Sequence, residues 1–433
     1  MEFLLVLEYR KCDKMNIKKP ELLIPASNLE VLKTAVIYGA DAIYIGGDMY
    51  GLRAKAKNFS LEEMKEGIAF AHAKGKKVYV TANITAHNED LEGIRKYFKE
   101  LKAFHEDRPD ALIISDPGVF AIAMEEVPEI EVHISTQANN VNYETYRFWH
   151  RLGATRVVSA RELSLIEIAE LREKIPANLE IETFVHGAMC IAYSGRCLLS
   201  NYFTGRDANR GACTHACRWK YHIVEETRPG EYLPIEENER GTYLFNSKDL
   251  CMIEYIPALV KAGINSFKVE GRMKTALYVA TVARTYRKAI DDFFEDPALY
   301  EKNLLAYKNE IKKGINRQFT TGFFFGIPKH EDQIYDTNTF VKEYTYLGTI
   351  SGQSGDGLYE LEQRNKFSVG ETIEVMTPLI EASNCELNME VVVKRITDDR
   401  GEEMESCPHP KQKIYVDLGT ALKPYDILRR RES

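Results

Sequence analysis

The sequence predicts an α/β fold: a (β/α)8, TIM-like barrel followed by a small, all-β, barrel-like domain. Over the first 290 residues, short apolar β-branched segments alternate with amphipathic ones, which is typical of parallel strands connected by helices. After about residue 330 the segments become short and β-like and are interrupted by Gly, Asp and Pro, which indicates a separate β-domain. The content of 44% hydrophobic and 28% charged residues is ordinary for a globular protein.

Eight candidate strands define the predicted barrel. They are Glu21–Pro25, Ala42–Ile45, Lys77–Val80, Ala111–Ser115, Glu131–Ile134, Arg156–Ala160, Glu180–Val185 and Ser266–Val269. Amphipathic segments between them include Asn28–Tyr38, Leu61–Lys74, Leu91–Phe104 and Ser164–Glu173, and Thr275–Phe294 is the expected closing helix. Eight nearly continuous apolar strands favour a closed barrel over an open doubly wound sheet. The first strand is also not followed by the G-x-G-x-x-G fingerprint of a dinucleotide-binding fold.

These patterns divide the chain into three parts. We interpret residues 1–17 as a disordered leader, because their five-residue apolar run, flanked by Glu2 and Glu8, does not fit a secretory signal. Residues 18–330 are the predicted catalytic barrel with a long insertion at 187–265 after the seventh strand, and residues 335–433 are the β-domain. Its expected strands are Thr345–Ile350, Gly357–Gln363, Glu371–Met376, Met389–Ile396 and Gln412–Val416. The chain has no 20-residue apolar stretch, so we expect a cytoplasmic protein without a membrane partner.

Four of the eight cysteines lie close together in the insertion, with the spacing C-x6-C-x15-C-x3-C. They are Cys190, Cys197, Cys213 and Cys217. In a reducing compartment thiolates more often hold a metal than form disulfides, and four of them complete either an iron–sulfur cluster or a zinc site. Structural zinc usually draws on C-x2-4-C pairs, which only the last two cysteines approach. The spacing therefore favours an iron–sulfur cluster, with zinc and unligated thiols as the alternatives.

Two further cysteine patterns bear on this site. A radical SAM enzyme would share the barrel and the cluster, but its C-x3-C-x2-C motif needs a third cysteine where Lys220 stands. The sequence from Cys213 to Lys220 therefore does not contain the radical SAM motif. Cys251 is a reserve ligand in the same insertion, and its alternative interpretation is a buried small side chain on a helix spanning Leu250–Val260.

Polar side chains follow the predicted strands, where barrel enzymes carry their catalytic groups. They are Ser27, Asn28, Asn83, Asp116, Ser135, Thr136, Gln137, Arg161, Glu162, His186, Lys268, Glu270 and Arg272. We expect His186, Glu270 and Arg272 to be catalytic, with His186 as a general acid–base or, alternatively, as an orienting histidine. Arg161 and Arg272 could clamp a carboxylate through paired hydrogen bonds, or else be neutralised by Glu270.

The insertion is locally basic, although the whole chain carries a net charge of −8. Between residues 187 and 222, Asp207 is the only acidic residue against Arg196, Arg206, Arg210, Arg218 and Lys220. This pattern indicates either a solvated loop or an anion-binding site beside the cysteines. The aromatic residues of the same segment could stack an unpaired base or pack the insertion onto the barrel, and they are Tyr193, Tyr202, Phe203 and Trp219.

The segment ETFVHGAMCIAYSGRCLLS, residues 182–200, resembles the signature of the collagenase-like peptidase family, whose catalytic type is unknown. The similarity covers nearly the whole chain from Lys18, including the segments ELLIPASNLEVLKTAVIYGADAIYIGG, ISTQANNVN, NSKDL, FKVEGRMKTALYVATVARTYRKAID and NKFSVGETIEVMTP. Within the family, RGACTHACRWKY is most similar to the branch of tRNA uridine hydroxylases that use prephenate.

This resemblance implies an enzyme that hydroxylates carbon 5 of the wobble uridine in tRNA, with prephenate as the hydroxyl source. It implies a 4Fe-4S cluster on the four clustered cysteines, and the iron–sulfur assembly machinery and the tRNA anticodon region as partners. The expected substrate-binding residues are Arg161, Arg196, Tyr193, Arg206, Arg210 and Arg218. The basic loop would face tRNA phosphates, and Arg161, Arg196 and Arg272 would face the two carboxylates of prephenate.

The alternatives are a collagenase-like peptidase and a related factor for ribosomal RNA or ubiquinone hydroxylation. A non-catalytic RNA-binding scaffold, whose cluster holds the loop together, is a third class. The chain contains neither H-E-x-x-H nor G-x-S-x-G, which favours the hydroxylase over the peptidase.

Overall fold

The computed structural model describes residues 18–51, 58–190, 197–219, 222–223, 233–234, 247–328, 332, 341–354, 356–378 and 388–432. The expected leader at 1–17 lies outside these residues. Within them, no helix is both long and apolar enough to cross a bilayer.

A closed barrel of eight parallel strands forms the larger part of the molecule. The first seven strands are β1 (Glu21–Pro25), β2 (Ala42–Gly46), β3 (Lys77–Ala82), β4 (Ala111–Ile114), β5 (Glu131–Ile134), β6 (Arg156–Val158) and β7 (Glu180–Gly187). The insertion follows, with the short strands β8 (His222–Ile223), β9 (Leu233–Pro234) and β10 (Asp249–Cys251), before β11 (Ser266–Val269). Ser266 of β11 is in register with Glu21 of β1 and with Glu182 of β7, so the ring is closed. The predicted fold class and all eight predicted barrel strands are thus confirmed, with bounds within two residues.

Helices cover the outside of this barrel, and the short helix Leu199–Thr204 lies in the insertion. They are α1 (Leu29–Ile37), α2 (Leu61–His72), α3 (Leu91–Lys102), α4 (Pro117–Glu126), α5 (Tyr143–Arg151), α6 (Leu165–Lys174), α7 (Leu199–Thr204), α8 (Ile256–Lys261), α9 (Ala276–Glu295) and α10 (Pro297–Lys312). Asn28 and Asp116, which the sequence suggested as site residues, are helix caps. Asn28 accepts from the backbone N–H of Val31, and Asp116 from those of Gly118 and Val119. A cap satisfies backbone donors that the first helical turn leaves unpaired.

The amino-terminal end of the barrel is closed by a buried ion network. Arg156 of β6 contacts Glu21 at 2.6 Å, Glu180 at 2.6 Å and Glu182 at 3.0 Å. The hydroxyl of Tyr79 donates to Glu21 at 2.6 Å. Burial opposes the ionisation of Glu21, but Arg156 and the hydrogen bonds hold the pKa of its carboxyl at about 2.

The C-terminal sheet is antiparallel and follows the short strand β12 (Phe319–Thr320), which extends the barrel sheet beside β10. Its strands are β13 (Tyr344–Gln353), β14 (Tyr359–Glu362), β15 (Thr372–Met376), β16 (Asn388–Val392), β17 (Arg395–Thr397), β18 (Lys413–Asp417) and β19 (Ile427–Arg431). They pair in the order β16-β15-β19-β13-β14-β18-β17 around a separate apolar core. The expected β-rich character is confirmed, whereas β19 and α10 were not predicted.

Buried polar contacts hold the sheet against the barrel helices. Arg429 of β19 is fully buried; its Nε donates to Glu374 at 2.6 Å and its Nη2 contacts Glu310 of α10 at 2.8 Å. The hydroxyl of Tyr38, at the end of α1, donates to the carbonyl oxygens of Met376 and Tyr425 at 2.8 Å each. The C-terminal sheet and the barrel helices are therefore packed together through these contacts.

Candidate active site

A cavity of about 520 Å3 opens at the carboxyl ends of the barrel strands. All four clustered cysteines line it, together with residues that follow β3, β5, β6 and β11. Its volume is in the range of small-molecule sites, and this end of a barrel is where such enzymes carry out chemistry. The insertion thus brings its thiols to the mouth of the barrel, as the strand spacing predicted.

The four thiols form a donor set that suits a thiolate-bound cluster. Each is a free cysteine, with Cys190 exposed and the other three half-buried. Among the residues that the structure describes, no three His, Cys, Asp or Glu side chains converge closely enough to hold a metal ion. Residues 191–196, between the first two thiols, lie outside those residues. The donor chemistry and the shared cavity therefore fit a four-thiolate group, and the ligand set stays a prediction.

Hydrogen bonds within the insertion hold the loop around the thiols. The side chain of Asn209 accepts from the backbone N–H of Cys197 at 3.3 Å and donates to its carbonyl oxygen at 3.1 Å. Its own carbonyl oxygen accepts from the N–H of Thr85, after β3, at 3.1 Å. The hydroxyl of Ser200 donates to the carbonyl oxygen of Arg206 at 2.7 Å and accepts from the N–H of Thr214 at 3.1 Å. The cysteine loop is therefore tied both to itself and to the barrel.

The cavity is electrostatically positive. Five Lys or Arg side chains line it against one carboxylate, and they are Arg161, Lys268, Arg272, Lys274 and Arg317 against Glu270. Glu182 lies 2.6 Å from the Nζ of Lys268, and Asp249 lies 3.8 Å from a guanidinium nitrogen of Arg317. Among the described residues, five cations and three carboxylates line or contact the cavity, and this composition suits an anionic ligand.

Arg161 is held by few contacts at the wall of this cavity. Its Nη1 donates to the carbonyl oxygen of Ala188 at 3.0 Å, and its guanidinium stacks over the Phe184 ring at 4.0 Å. Its Nη2 lies 3.8 Å from Glu270, and its buried Nε has no partner among the described residues. Arg272 donates from Nη1 to the Thr81 hydroxyl at 3.1 Å. The predicted Arg161, Glu270 and Arg272 therefore share one cavity wall, and their roles stay predictions.

His186 lies behind the cavity rather than on its wall. Its imidazole is 2% exposed and sits among the rings of Tyr278, Tyr286 and Phe319, with centroids 5.5 to 6.1 Å away. Burial, with a contribution from Lys274, lowers the pKa of His186 to about 3. Such a neutral, enclosed imidazole favours the orienting alternative over a general acid–base.

Two of the predicted basic residues of the insertion, Arg206 and Arg210, have side chains that the structure describes, and neither lines the cavity. Arg206 is exposed outside the cavity. Arg210 lies 3.5 Å from Glu89 and 3.2 Å from Asp90, in the segment between β3 and α3, so its charge is balanced locally. Tyr193, Arg196 and the side chain of Arg218 lie outside the described residues. Their binding roles stay predictions.

Cys251 is a buried side chain on a strand. The expected helix Leu250–Val260 is wrong at its start, because β10 ends at Cys251 and α8 begins at Ile256. The reason is tertiary: β10 pairs antiparallel with β7, which puts Cys251 opposite His186. Its Sγ lies 3.9 Å from the Tyr286 hydroxyl, and burial raises the pKa of the thiol to about 12. Cys251 does not line the cavity, which favours its structural interpretation.

Several cavity residues were missed by sequence reasoning, namely Tyr44, Thr81, Asn209, Lys274 and Arg317. Tyr44 lies inside the apolar strand β2, and its hydroxyl donates to the carbonyl oxygen of Val269 at 2.9 Å. Burial raises its pKa well above the usual range, so it stays a donor. Arg317 follows α10, far in sequence from any predicted strand end. Only Lys274, in the motif GRMKT after β11, carried a usable signal.

Comparison with known proteins agrees with this architecture. Residues 27–334 match the model of peptidase family U32, and residues 342–429 match that of the family's C-terminal domain. The chain is 42% identical to tRNA hydroxylation protein P1 of Bacillus subtilis, covering 95% of each chain. It is 38% identical to tRNA hydroxylation protein P of Escherichia coli, over 96% of this chain and 97% of that one.

A more distant relative is the 23S rRNA 5-hydroxycytidine C2501 synthase of Escherichia coli. It is 38% identical over 64% of this chain and 40% of its own length. The two family models together cover the barrel and the β-domain, and the alignments with the first two relatives cover almost the full chain. The chain therefore belongs to peptidase family U32.

Proposed function

We propose that this protein is an iron–sulfur tRNA hydroxylase that acts on carbon 5 of the wobble uridine with prephenate as the hydroxyl source. The observation that carries the proposal is that four thiols and, among the described residues, more cations than carboxylates line one cavity. It is supported by relatives named as tRNA hydroxylation proteins that are similar over almost the whole chain. In this reaction prephenate gives its hydroxyl group to carbon 5 of uracil. The reaction balances when the hydrogen displaced from carbon 5 is transferred to the remaining prephenate skeleton.

The cations supply the binding chemistry for a dicarboxylate. An arginine can pair with a carboxylate through two parallel hydrogen bonds, and Arg161 and Arg272 both present guanidinium groups to the cavity. The Nε of Arg161 has no hydrogen-bond partner among the described residues. Because more cations than carboxylates line the cavity among those residues, it favours an anionic ligand over a neutral one.

The cysteines would hold the cluster in the same cavity. In this proposal Cys190, Cys197, Cys213 and Cys217 are its ligands, and Asn209 fixes the backbone at Cys197. A bound cluster supplies either one-electron transfer or a Lewis-acidic iron. The protein's own contribution is to hold the substrates beside it and to shield them from water.

An exposed aromatic surface beside the cavity suits unpaired bases. Tyr202 is 82% exposed, and its ring lies 5.2 Å from that of Phe203, which in turn lies 6.2 Å from that of Trp219. Leu199 and Ser200, on the same short helix, line the cavity. Single-stranded RNA is commonly bound by stacking bases on such rings. We assign this surface to the nucleotides next to the target uridine.

Metal analysis tests the cofactor directly. Protein purified without oxygen should contain iron and acid-labile sulfide in equal amounts, and Cys197→Ala should lose both together with the visible absorption of the cluster. Cys407→Ala is the matched control, because Cys407 is buried in the β-domain with its Sγ 3.3 Å from the Phe367 carbonyl oxygen. Zinc without iron in the parent protein would contradict the proposal.

Nucleoside mass spectrometry tests the reaction. The chain is expressed in a host strain whose tRNA lacks 5-hydroxyuridine-derived nucleosides, and the parent protein should restore them. Cys197→Ala should restore none, whereas Cys407→Ala should restore normal levels. If the parent protein leaves the tRNA unchanged while prephenate is available, the hydroxylase proposal is wrong.

A further inference from the structure

We propose that Gln137 determines which pyrimidine the enzyme accepts, by donating a hydrogen bond from Nε2 to the carbonyl oxygen at carbon 4 of uracil. This inference rests on the proposed function, and it names the group that recognises the target base. The carbonyl at carbon 4 is next to carbon 5, so a contact there would also position the carbon that is hydroxylated.

Hydrogen bonds on one side of the Gln137 amide set its orientation. Its Oε1 accepts from the Nδ2 of Asn83 at 3.0 Å and also from the hydroxyl of Ser135. The same Nδ2 donates to the Ser135 Oγ at 3.3 Å, so the hydroxyl hydrogen is left for Gln137. With two donors on Oε1, the Nε2 of Gln137 is turned away from them. Gln137 lines the cavity, and we infer that this nitrogen is the part of the amide that a bound ligand meets.

An amide nitrogen donates and does not accept, so it distinguishes uracil from cytosine. Uracil carries a carbonyl oxygen at carbon 4, whereas cytosine carries an amino group there, which also donates. Two donors facing each other leave both without an acceptor in a site shielded from water. The distinction is relevant in this family, since one relative is named as a 5-hydroxycytidine synthase.

The topology separates the amide group from most of the cations. In the ring of strands β1 to β7 and β11, β4 lies opposite β11. Asn83 follows β3 and Gln137 follows β5, so the two flank the end of β4. Lys268 belongs to β11 and Lys274 follows it, on the opposite side. An anionic co-substrate is drawn to the cationic side, which leaves the neutral amides for a neutral base.

Arg272 connects the two sides. It follows β11, yet its Nη1 reaches the hydroxyl of Thr81 on β3 at 3.1 Å. A base held by Gln137 and a carboxylate held by the cations would therefore meet near this guanidinium. The arrangement accounts for two different kinds of ligand in one cavity of about 520 Å3.

The test compares purified parent protein, Gln137→Glu and Gln137→Met on two anticodon stem-loop RNAs that differ only in uridine or cytidine at the target position. Both variants should lose roughly 10- to 100-fold in kcat/KM on the uridine RNA, because the donor is gone. The KM for prephenate should stay unchanged in Gln137→Met, which adds no charge to the cavity. The carboxylate of Gln137→Glu accepts hydrogen bonds, so it should lower the preference for uridine over cytidine at least about 10-fold.

Gln137→Met keeps the length of the side chain without donor or charge, so it remains informative if the glutamate variant is poorly folded. Gln353→Glu, the same change at the exposed last residue of β13, is the control and should behave as the parent protein. An unchanged preference between the two RNAs, or a raised KM for prephenate in Gln137→Met, would overturn the assignment. If the parent protein hydroxylates neither RNA, the proposed function fails, and the inference fails with it.

Discussion

The two ends of the barrel each contain a charged cavity of about 520 Å3, and they use their charges differently. At the amino-terminal end, Arg156 contacts three carboxylates within 3.0 Å, and Arg287 contacts Asp41 and Asp291 within 2.7 Å. At the carboxyl end, the nearest carboxylate to Arg161 among the described residues lies 3.8 Å away.

This difference shows how charge alone fails to identify a site. A charge that is matched by neighbours within its own end of the barrel stabilises the fold, whereas a surplus that faces a cavity can bind a ligand. Substitution of an arginine is therefore expected to affect stability at the amino-terminal end and ligand binding at the carboxyl end. Substitutions at each end, ordered by the size of the expected effect, can test this contrast.

The largest effect is expected for Arg156→Met. The substitution leaves the carboxylate of Glu21 buried without its cation and that of Glu182 with Lys268 alone, which should lower the free energy of unfolding by about 3–5 kcal/mol. Urea unfolding followed by circular dichroism measures it. Arg147→Met, which removes a half-exposed arginine from α5, is the control and should cost less than about 1 kcal/mol. Equal losses of unfolding free energy in Arg156→Met and Arg147→Met would show that the buried ion network at the amino-terminal end does not stabilise the fold more than a surface arginine does.

A smaller effect, on binding rather than on folding, is expected for Arg161→Met. Loss of a charged hydrogen-bond donor should raise the KM for prephenate roughly 10- to 100-fold. The unfolding free energy should fall by about 1 kcal/mol, since the methionine side chain can still pack on Phe184. Steady-state kinetics paired with urea unfolding separates the two. If Arg161→Met lost as much stability as Arg156→Met and its kinetics were unchanged, Arg161 would have a structural role like that of Arg156.

The smallest effect concerns a structural group at the carboxyl end, His186. Its folded pKa of about 3 lies below the 6.5 of an exposed histidine, so below pH 6.5 the unfolded chain binds a proton that the folded chain does not. Stability is therefore lost as the pH falls from about 6.5 toward 3, by about 1.4 kcal/mol per pH unit. His186→Phe should reduce the loss between pH 7.5 and 5.5 by about that amount, measured by urea unfolding at both values. Identical losses in variant and parent would show that His186 is not the group responsible.

Much of the barrel could be predicted from the sequence, because its strands are buried on both faces and read as continuous apolar segments. Strands such as Glu21–Pro25 and Ser266–Val269 were predicted at their observed bounds. The strand β10 could not be predicted, since its pairing with β7 depends on a contact between residues more than 60 positions apart. β19 was missed as well, because the three arginines of ILRRR do not resemble a buried strand. Arg429 can be buried there because it pairs with Glu310 and Glu374, which lie far away in the sequence.

The candidate site was predictable where its residues directly follow strands. Asn83, Gln137 and Glu270 are of this kind, and all three line the cavity. Position alone could not separate them from Asn28 and Asp116, which follow strands too and act as helix caps. Arg317 enters the cavity from a segment after α10, and no local sequence pattern marks such a long-range approach.

The docking of Arg429 links the β-domain to the cavity mechanically. Its contact with Glu310 fixes the last turns of α10, where the Nζ of Lys313 also lies 2.9 Å from Glu374 of the β-domain. A few residues further on, the backbone N–H of Arg317 donates to Asp249 at 3.2 Å and its side chain reaches the cavity wall. The small domain therefore supports one edge of the cavity although none of its described residues lines it, and through α10 it helps to hold Arg317 in place.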